Sequence, residues 1–295
     1  MEEYRDGKSY TQLIHESLGE EYPDTGDPRV LAWLIRRHGV EMTHISRGSH
    51  IGSILSVAEI IAVLYACELR TRPGDPAWPE RDRLILSKGH AGAAVYAALA
   101  ERGFFPVEEL RQHYGNGSRL SGHVSHHGVP GIEVSTGSLG HGLSIGTGMA
   151  YGARLSGEAW RTYVVLGDGE CDEGMVWEAA LQARQWELAS LTAIIDHNGM
   201  QSLDECERTL KLEPLHEKWA SFGWHVQRVN GHDTEALKRA LGSARAEKRL
   251  PSVIIADTVK GRGISFMENN ILWHYRTPQG EEYEAACREL EANRP

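Results

Sequence analysis

Two oxygen-bearing words set thirty residues apart constrain this chain most: Leu166-Gly167-Asp168-Gly169 and Asp196-His197-Asn198-Gly199. Each follows an apolar, β-branched run, at 163–166 and at 191–195. Residues 174–186 between them have helical spacing, with Val176, Trp177, Ala180, Leu181 and Ala183 as apolar positions. A strand–helix–strand of this length makes the two strands parallel. Asp168 and Asn198 then emerge together at the carboxyl ends of neighbouring strands, the edge where open α/β sheets bind ligands. A carboxylate beside an amide oxygen suits a hard divalent cation such as Mg²⁺, with Ca²⁺ or Mn²⁺ as substitutes, which completes its shell with phosphate oxygens. Gly167 and Gly169 let the main chain approach a phosphate without a Cβ in the way. Gly-Asp-Gly alone reads as an ordinary turn; the strand-end Asn one βαβ spacing later argues for a site. No Gly-x-x-x-x-Gly-Lys-Ser/Thr loop is present, and no Gly-x-Gly-x-x-Gly joins an opening strand to a helix.

Strand-like runs at 84–86, 162–166, 191–195, 224–229 and 252–256 alternate with helical stretches, and no Pro/Gly/Ser-rich linker interrupts them. The fold class is therefore α/β, a mostly parallel sheet flanked by helices on both faces. The expected organisation is a polar arm at 1–27, one α/β domain at 28–277 and a tail at 278–295, with a short, acidic, solvated helix over 280–293. At 41% hydrophobic residues the chain can build a core, and a formal charge of −10 leaves no basic face for nucleic acid. The polar, acidic start Met1-Glu2-Glu3-Tyr4-Arg5 is unlike a signal peptide. Residues 51–67 are apolar but carry Ser53, Ser56 and Glu59, which predicts a core helix rather than a membrane span. Cys67, Cys171, Cys206 and Cys287 show neither metal spacing nor a disulfide framework, so a cytoplasmic protein is expected.

Most of the fifteen histidines need no functional account. His15, His38, His113, His216 and His232 have neutral sequence surroundings and read as surface or core residues, and His197 reads as a packing residue. His90 differs: it follows a strand and Ser87-Lys88-Gly89, and it opens an Ala-rich helix at 91–100 whose free N–H groups suit a phosphate. His50 and His123 lie in small-residue loops, Gly48-Ser49-His50-Ile51-Gly52 and Ser118-Arg119-Leu120-Ser121-Gly122-His123.

Gly167-Asp168-Gly169 closed by Asn198 resembles the thiamine diphosphate signature. The surrounding words resemble transketolase, specifically the separate amino-terminal subunit of split transketolases. They are His50-Ile51-Gly52-Ser53, Arg81-Asp82-Arg83-Leu84-Ile85-Leu86-Ser87-Lys88-Gly89-His90, Ser135-Thr136-Gly137-Ser138-Leu139-Gly140, Glu170 with Glu173-Gly174, and Lys260-Gly261-Arg262-Gly263 through Asn270. The likeness runs over residues 28–277. It implies transfer of a two-carbon ketol unit from a ketose donor to an aldose acceptor with thiamine diphosphate and a divalent metal. The implied metal ligands are Asp168, Asn198 and the Met200 carbonyl. The implied cofactor contacts are His90, Gly137, Ser138, Leu139, Gly167, Gly169, Glu170, Asn198 and His274. His50, His90, His123 and His274 are implied to act on substrate and diphosphate, and Glu173 to join a carboxylate network across a subunit interface. Glu173 is equally explained as a helix-dipole partner. His141 departs from the family's common glutamine, and His126 and His127 have no family counterpart.

The chain reaches Pro295 without a second α/β domain. We therefore expect it to be inactive alone and to complete its site with a separate carboxy-terminal subunit, forming an α2β2 heterotetramer that acts on sugars or sugar phosphates, without nucleic acid or membrane. Other readings stay open: a transketolase-like chain for a modified or branched sugar, a 2-oxo acid dehydrogenase alpha-type subunit, a deoxyxylulose-phosphate-synthase-like enzyme, or a non-catalytic scaffold.

Overall fold

A computed structural model describes residues 24–295. Most of the arm expected at 1–27, and His15 with it, lies outside the described residues. Helix α1 spans Pro28–Ser46; Asp27 caps it by accepting the Arg29 N–H at 2.8 Å, and proline opens its first turn. The segment expected to be one core helix at 51–67 is instead α2 (Ile51–Ser56), α3 (Ala58–Val63) and a π-turn at Leu64–Glu68. The break falls at Val57, beside Ser56, whose hydroxyl donates back to Ser53 O and across to Asp196. Such side-chain bonding competes with regular helix geometry.

Five strands follow in the order of the five apolar runs: β1 (Arg83–Leu86), β2 (Thr162–Gly167), β3 (Leu191–His197), β4 (His225–Asn230) and β5 (Ser252–Asp257). They form one all-parallel sheet in the order β1-β2-β3-β5-β4. Between and after them lie α4 (Gly92–Glu101), α5 (His141–Ser156), α6 (Gly174–Gln185), α7 (Cys206–Thr209), α8 (Leu215–Ser221), α9 (Thr234–Ala246) and α10 (Glu281–Ala292).

Alternation along the strands builds a core on each side. Tyr163, Val165, Ile194 and Ile254 pack with α1–α4, α9 and α10; Val164, Leu166, Ile195 and Ile255 pack with α5, α6 and α8. The sheet is thus covered on both faces, as its uninterrupted apolar strands require. From β1 to β4 the chain advances across the sheet, and the strand-connecting helices α5, α6 and α8 fall on one face. From β4 it turns back to β5, and right-handed crossing puts α9 on the other face. After β3 the chain leads toward α8 on one face; after β5 it leads to Ile264 and Met267 on the opposite face. A crevice opens between those two strand ends.

Two local expectations change. Leu181 is 59% exposed, because the buried stripe of α6 runs through Val176, Ala179, Ala180 and Ala183. α10 lies where a solvated helix was expected, yet Ala286 and Leu290 are buried and Trp33 Nε1 donates to Leu290 O at 2.8 Å. Among the described residues no helix is long and apolar enough to cross a membrane, and Cys67, Cys171, Cys206 and Cys287 are free.

Candidate active site

The carboxyl ends of β1, β2, β3 and β5 converge on a cavity of about 260 Å³. After β1, Thr136 Oγ1 donates to Leu86 O at 2.7 Å and draws the 134–137 loop onto the strand end. A Cβ on Gly89 would lie 2.6 Å from Thr136, so that approach needs glycine. His90 follows in a 3₁₀ turn (Gly89–Ala91) that precedes α4, not at the first position of the helix itself. His50 enters α2 from the left-handed region, at φ 73°. This uncommon backbone is held by its N–H, which donates to His274 O at 2.7 Å. Ring centroids lie 5.1 Å apart for His50–His90, 5.5 Å for His50–His123, 5.0 Å for His50–His274 and 5.7 Å for His90–His274. The fold therefore gathers loops up to 224 residues apart into one imidazole cluster, with His123 and Tyr275 at its exposed mouth.

Burial lowers the pKa of each of these rings. His50 is brought down to about 4 by burial, with His123 and Lys260 adding to it. His274 falls to about 3, through burial and then Lys260, His50 and Lys88. His90 is held well below its usual value by burial and Lys88, and burial lowers His123. All four rings are therefore neutral at pH 7 in the ligand-free chain.

At the β2 tip Asp168 is 2% exposed and accepts the N–H groups of Gly169, at 2.8 Å, and Gly199. Burial raises its carboxyl pKa, and among the described residues no lysine or arginine pairs with it. A buried carboxylate without a cation is costly. At the β3 tip Asn198 Nδ2 donates to Asp196 at 3.4 Å, which turns Oδ1 the other way, toward the Met200 N–H at 3.1 Å. Asp168, Asn198 and Met200 all line the cavity. No group of three or more His, Cys, Asp or Glu side chains that could hold a metal exists among the described residues. One carboxylate with amide and carbonyl oxygens therefore fits a hard cation whose remaining ligands come from a bound phosphate.

Two buried lysines stand beside this oxygen set, and sequence reasoning gave neither a role. Lys88 Nζ is paired with Asp196, which also accepts from Ser56 at 2.6 Å and from Thr258. Lys260 Nζ donates to Met200 O at 3.2 Å and Gln201 O at 3.0 Å and lies 3.1 Å from His274 Nδ1. Burial, then Lys88, brings its pKa down to about 8. The available signal was position: each lysine follows a strand end. Ser53, Gln201, Ser202 and Tyr275 also line the cavity without having been singled out.

Gly137, Leu139, Gly167, Gly169 and Glu170 line the cavity as well, but the Glu170 carboxylate is already engaged. It accepts from Ser87, from Gly140 N at 2.9 Å and from Gly167 N at 3.0 Å, bracing three loops against each other rather than presenting a free oxygen. Ser138 and Glu173 are exposed and outside the cavity lining; Glu173 stands at the N-cap position of α6 without a side-chain capping bond. His141 is exposed with Nδ1 on Leu139 O, and His126, 2.8 Å from Ser135 Oγ, lies against His127 with the two rings tilted by 36°. His197 sits in an ionic cluster, 2.8 Å from Asp257 and 3.4 Å from Glu213. His38 and His232 are not in neutral surroundings. Glu101 lies 2.6 Å from the first and Glu59 3.0 Å from the second, both brought in from distant helices.

Residues 29–290 match the family model described as "Transketolase, thiamine diphosphate binding domain". The chain is 43% identical over 242 residues to a 6-deoxy-6-sulfo-D-fructose transketolase subunit of Clostridium sp. (strain MSTE9), covering 82% of this chain and 88% of that one. It is 40% identical over 255 residues to an apulose-4-phosphate transketolase subunit of Phocaeicola vulgatus, covering 86% and 90%. The transketolase of Homo sapiens is 39% identical over 244 residues, covering 81% of this chain but 38% of that protein. The solved structure of the transketolase from Leishmania mexicana superposes with a TM-score of 0.84 at 30% identity, covering 90% of this chain and 41% of the other.

Proposed function

The chain belongs to the transketolase family, as a thiamine diphosphate binding domain, and from that premise we propose that it is the amino-terminal subunit of a two-chain transketolase. In this reading residues 28–277 hold thiamine diphosphate and Mg²⁺, and a carboxy-terminal subunit completes the site in an α2β2 heterotetramer. The observation that carries the reading is the single cavity that joins the Asp168–Asn198–Met200 oxygens to the His50, His90, His123 and His274 rings. Relatives named as transketolase subunits, covered to 88% and 90% of their length, support the division into subunits.

Bound thiamine diphosphate supplies the electron sink for carbon–carbon bond cleavage and formation. The chain's own residues bind, orient and manage protons. Asp168, Asn198 Oδ1 and Met200 O hold the cation, and Lys260 offers a buried positive charge to the diphosphate. An anion placed against His90 and His274 favours their charged forms and moves their pKa values back up. His50 and His123, nearer the mouth, hydrogen-bond substrate hydroxyls, and as neutral rings they can accept a hydroxyl proton. Glu173, exposed at the start of α6, is free to meet a partner carboxylate across an interface.

A second reading concerns the sugar. Two relatives, at 43% and 40% identity, are named for 6-deoxy-6-sulfo-D-fructose and apulose-4-phosphate, which supports a modified or branched ketose, or its phosphate, as the substrate. The deciding experiment combines the chain and its partner subunit, then measures ketol transfer across a panel of ketose donors and aldose acceptors, with thiamine diphosphate and Mg²⁺. Turnover is expected only from the mixture, and His90→Ala should abolish it while the complex still forms. Robust turnover by the chain alone would end the two-subunit reading. Failure of the wild-type mixture to bind thiamine diphosphate would end the transketolase reading altogether.

A further inference from the structure

Ser53, Ser56 and Glu59 recur every third residue in the otherwise apolar 51–67 segment, and they are 2%, 0% and 8% exposed. Their three destinations are distinct. Ser53 lines the cavity, and Ser56 holds Asp196. Glu59 accepts from Arg36 Nη2 at 2.6 Å and faces His232 Nδ1 at 3.0 Å. The other ring nitrogen of His232, Nε2, takes the Val259 N–H at 2.8 Å. A backbone N–H can only donate, so Nε2 is the acceptor and the ring proton sits on Nδ1, directed at Glu59. Burial pushes the Glu59 carboxyl up, but Arg36 and His232 more than offset it and bring its pKa down to about 2. The hydrogen-bonded chain Arg36–Glu59–His232 thus runs from α1 through α3 to the turn after β4, and it ends on the amide immediately before Lys260.

Lys260 is fixed on its other side by main-chain bonds: Asn269 N donates to Lys260 O at 2.9 Å, and Gly261 N to Gly52 O at 3.0 Å. At the residue directly before Lys260 the backbone N–H is held by an ionisable side chain, His232. We propose that His232 is a positioning residue for Lys260: clamped by Glu59 and Arg36, it holds the Val259 amide and so sets where the Lys260 ammonium meets the diphosphate. This rests on the functional reading above for the identity of the ligand. It gives the buried polar stripe of the 51–67 segment one purpose, since Ser56 steadies the β3 tip while Glu59 steadies the β5 tip.

The test uses the assembled complex with its partner subunit, with thiamine diphosphate binding read by calorimetry in excess Mg²⁺. His232→Leu should weaken binding about tenfold, the scale of losing one supporting partner behind a ligand-binding group. His232→Gln, whose amide oxygen can take the same N–H, should recover most of the loss. Lys260→Ala combined with His232→Leu should bind no worse than Lys260→Ala alone, since both changes act through one group. Hydrogen exchange at the Val259 amide should quicken in His232→Leu and not in His232→Gln. If the leucine variant does not fold, His232→Asn, which can face Glu59 but is too short for Val259, should show the same loss. Unchanged affinity in either short variant, or additive losses in the double variant, would overturn the proposal. Absence of binding by the wild-type complex would instead overturn the functional reading.

Discussion

The loops after β1 and β5 each bury a lysine, 1% exposed at Lys88 and 2% at Lys260, and the two are treated in opposite ways. Lys88 meets the buried carboxylate of Asp196, itself held by Ser56 and Thr258, so its charge is answered within the fold. Lys260 donates to the Met200 and Gln201 carbonyls and lies beside the His274 ring, with Asp168 and Asp196 acting on it through space rather than as ion-pair partners. Two buried lysines lining one cavity therefore differ in their partners. One is ion-paired within the protein, and the other, without an ion pair among the described residues, keeps a charge that an anion can meet. The same division separates His38 and His232, which have carboxylate partners, from His113, which is buried between Tyr96 and Tyr114.

The sharpest way to break this contrast is to remove each charge in turn. Lys88→Met strands Asp196 without its cation and should destabilise the chain by about 3–5 kcal/mol, seen as a lower midpoint in urea unfolding. Lys260→Met should lower that midpoint by less, because Lys260 forms no ion pair among the described residues and its removal loses two carbonyl bonds and the through-space pull of Asp168 and Asp196. It should also weaken thiamine diphosphate binding in the complex by roughly 10- to 100-fold. Equal destabilisation by the two substitutions would erase the distinction.

Acid probes the uncompensated side. Burial lowers the His113 pKa from 6.5 to about 4, so between those values the unfolded chain binds a proton that the folded chain refuses. Its contribution is present above about pH 6.5 and is lost as the pH falls toward 4, about 2 kcal/mol between about pH 7.5 and about pH 5. His113→Phe should flatten that part of the stability-versus-pH curve; a curve of unchanged slope would count against it. The smallest effect concerns a position that local patterning misreads. Leu181→Ala in the purified chain should shift stability by less than about 0.5 kcal/mol, whereas Val176→Ala on the buried stripe of the same helix should cost at least about 1 kcal/mol.

Much of the fold was legible because parallel strands buried on both faces are written as apolar runs, and each of the five runs became a strand. The Asp168 and Asn198 tips were legible for the same reason, since strand ends follow directly from strand positions. His50, His90, His123 and His274 were picked out by their words, but their packing within 5.0–5.7 Å was not in any word. Lys88 and Lys260 were overlooked because a lysine in a loop is ordinarily solvated, and nothing local reveals that a loop will be buried. Glu170 was implied as a cofactor contact by the family words, and its bonds to Ser87 and Gly140, partners from two other loops, were in none of those words. His232 looked neutral because Glu59 lies 173 residues away.

The amino-acid order by itself determined the α/β class, the alternation of strands and helices, and the oxygen-bearing residues at two strand tips. These follow from periodicity and from short-range steric preference, which act between residues a few positions apart. Only the tertiary structure decided which buried charges are answered, which histidines meet, and which carboxylates brace loops rather than face a ligand. Those outcomes depend on electrostatic and hydrogen-bonding partners delivered from distant segments, and the balance between desolvation and pairing is struck only once the segments have met.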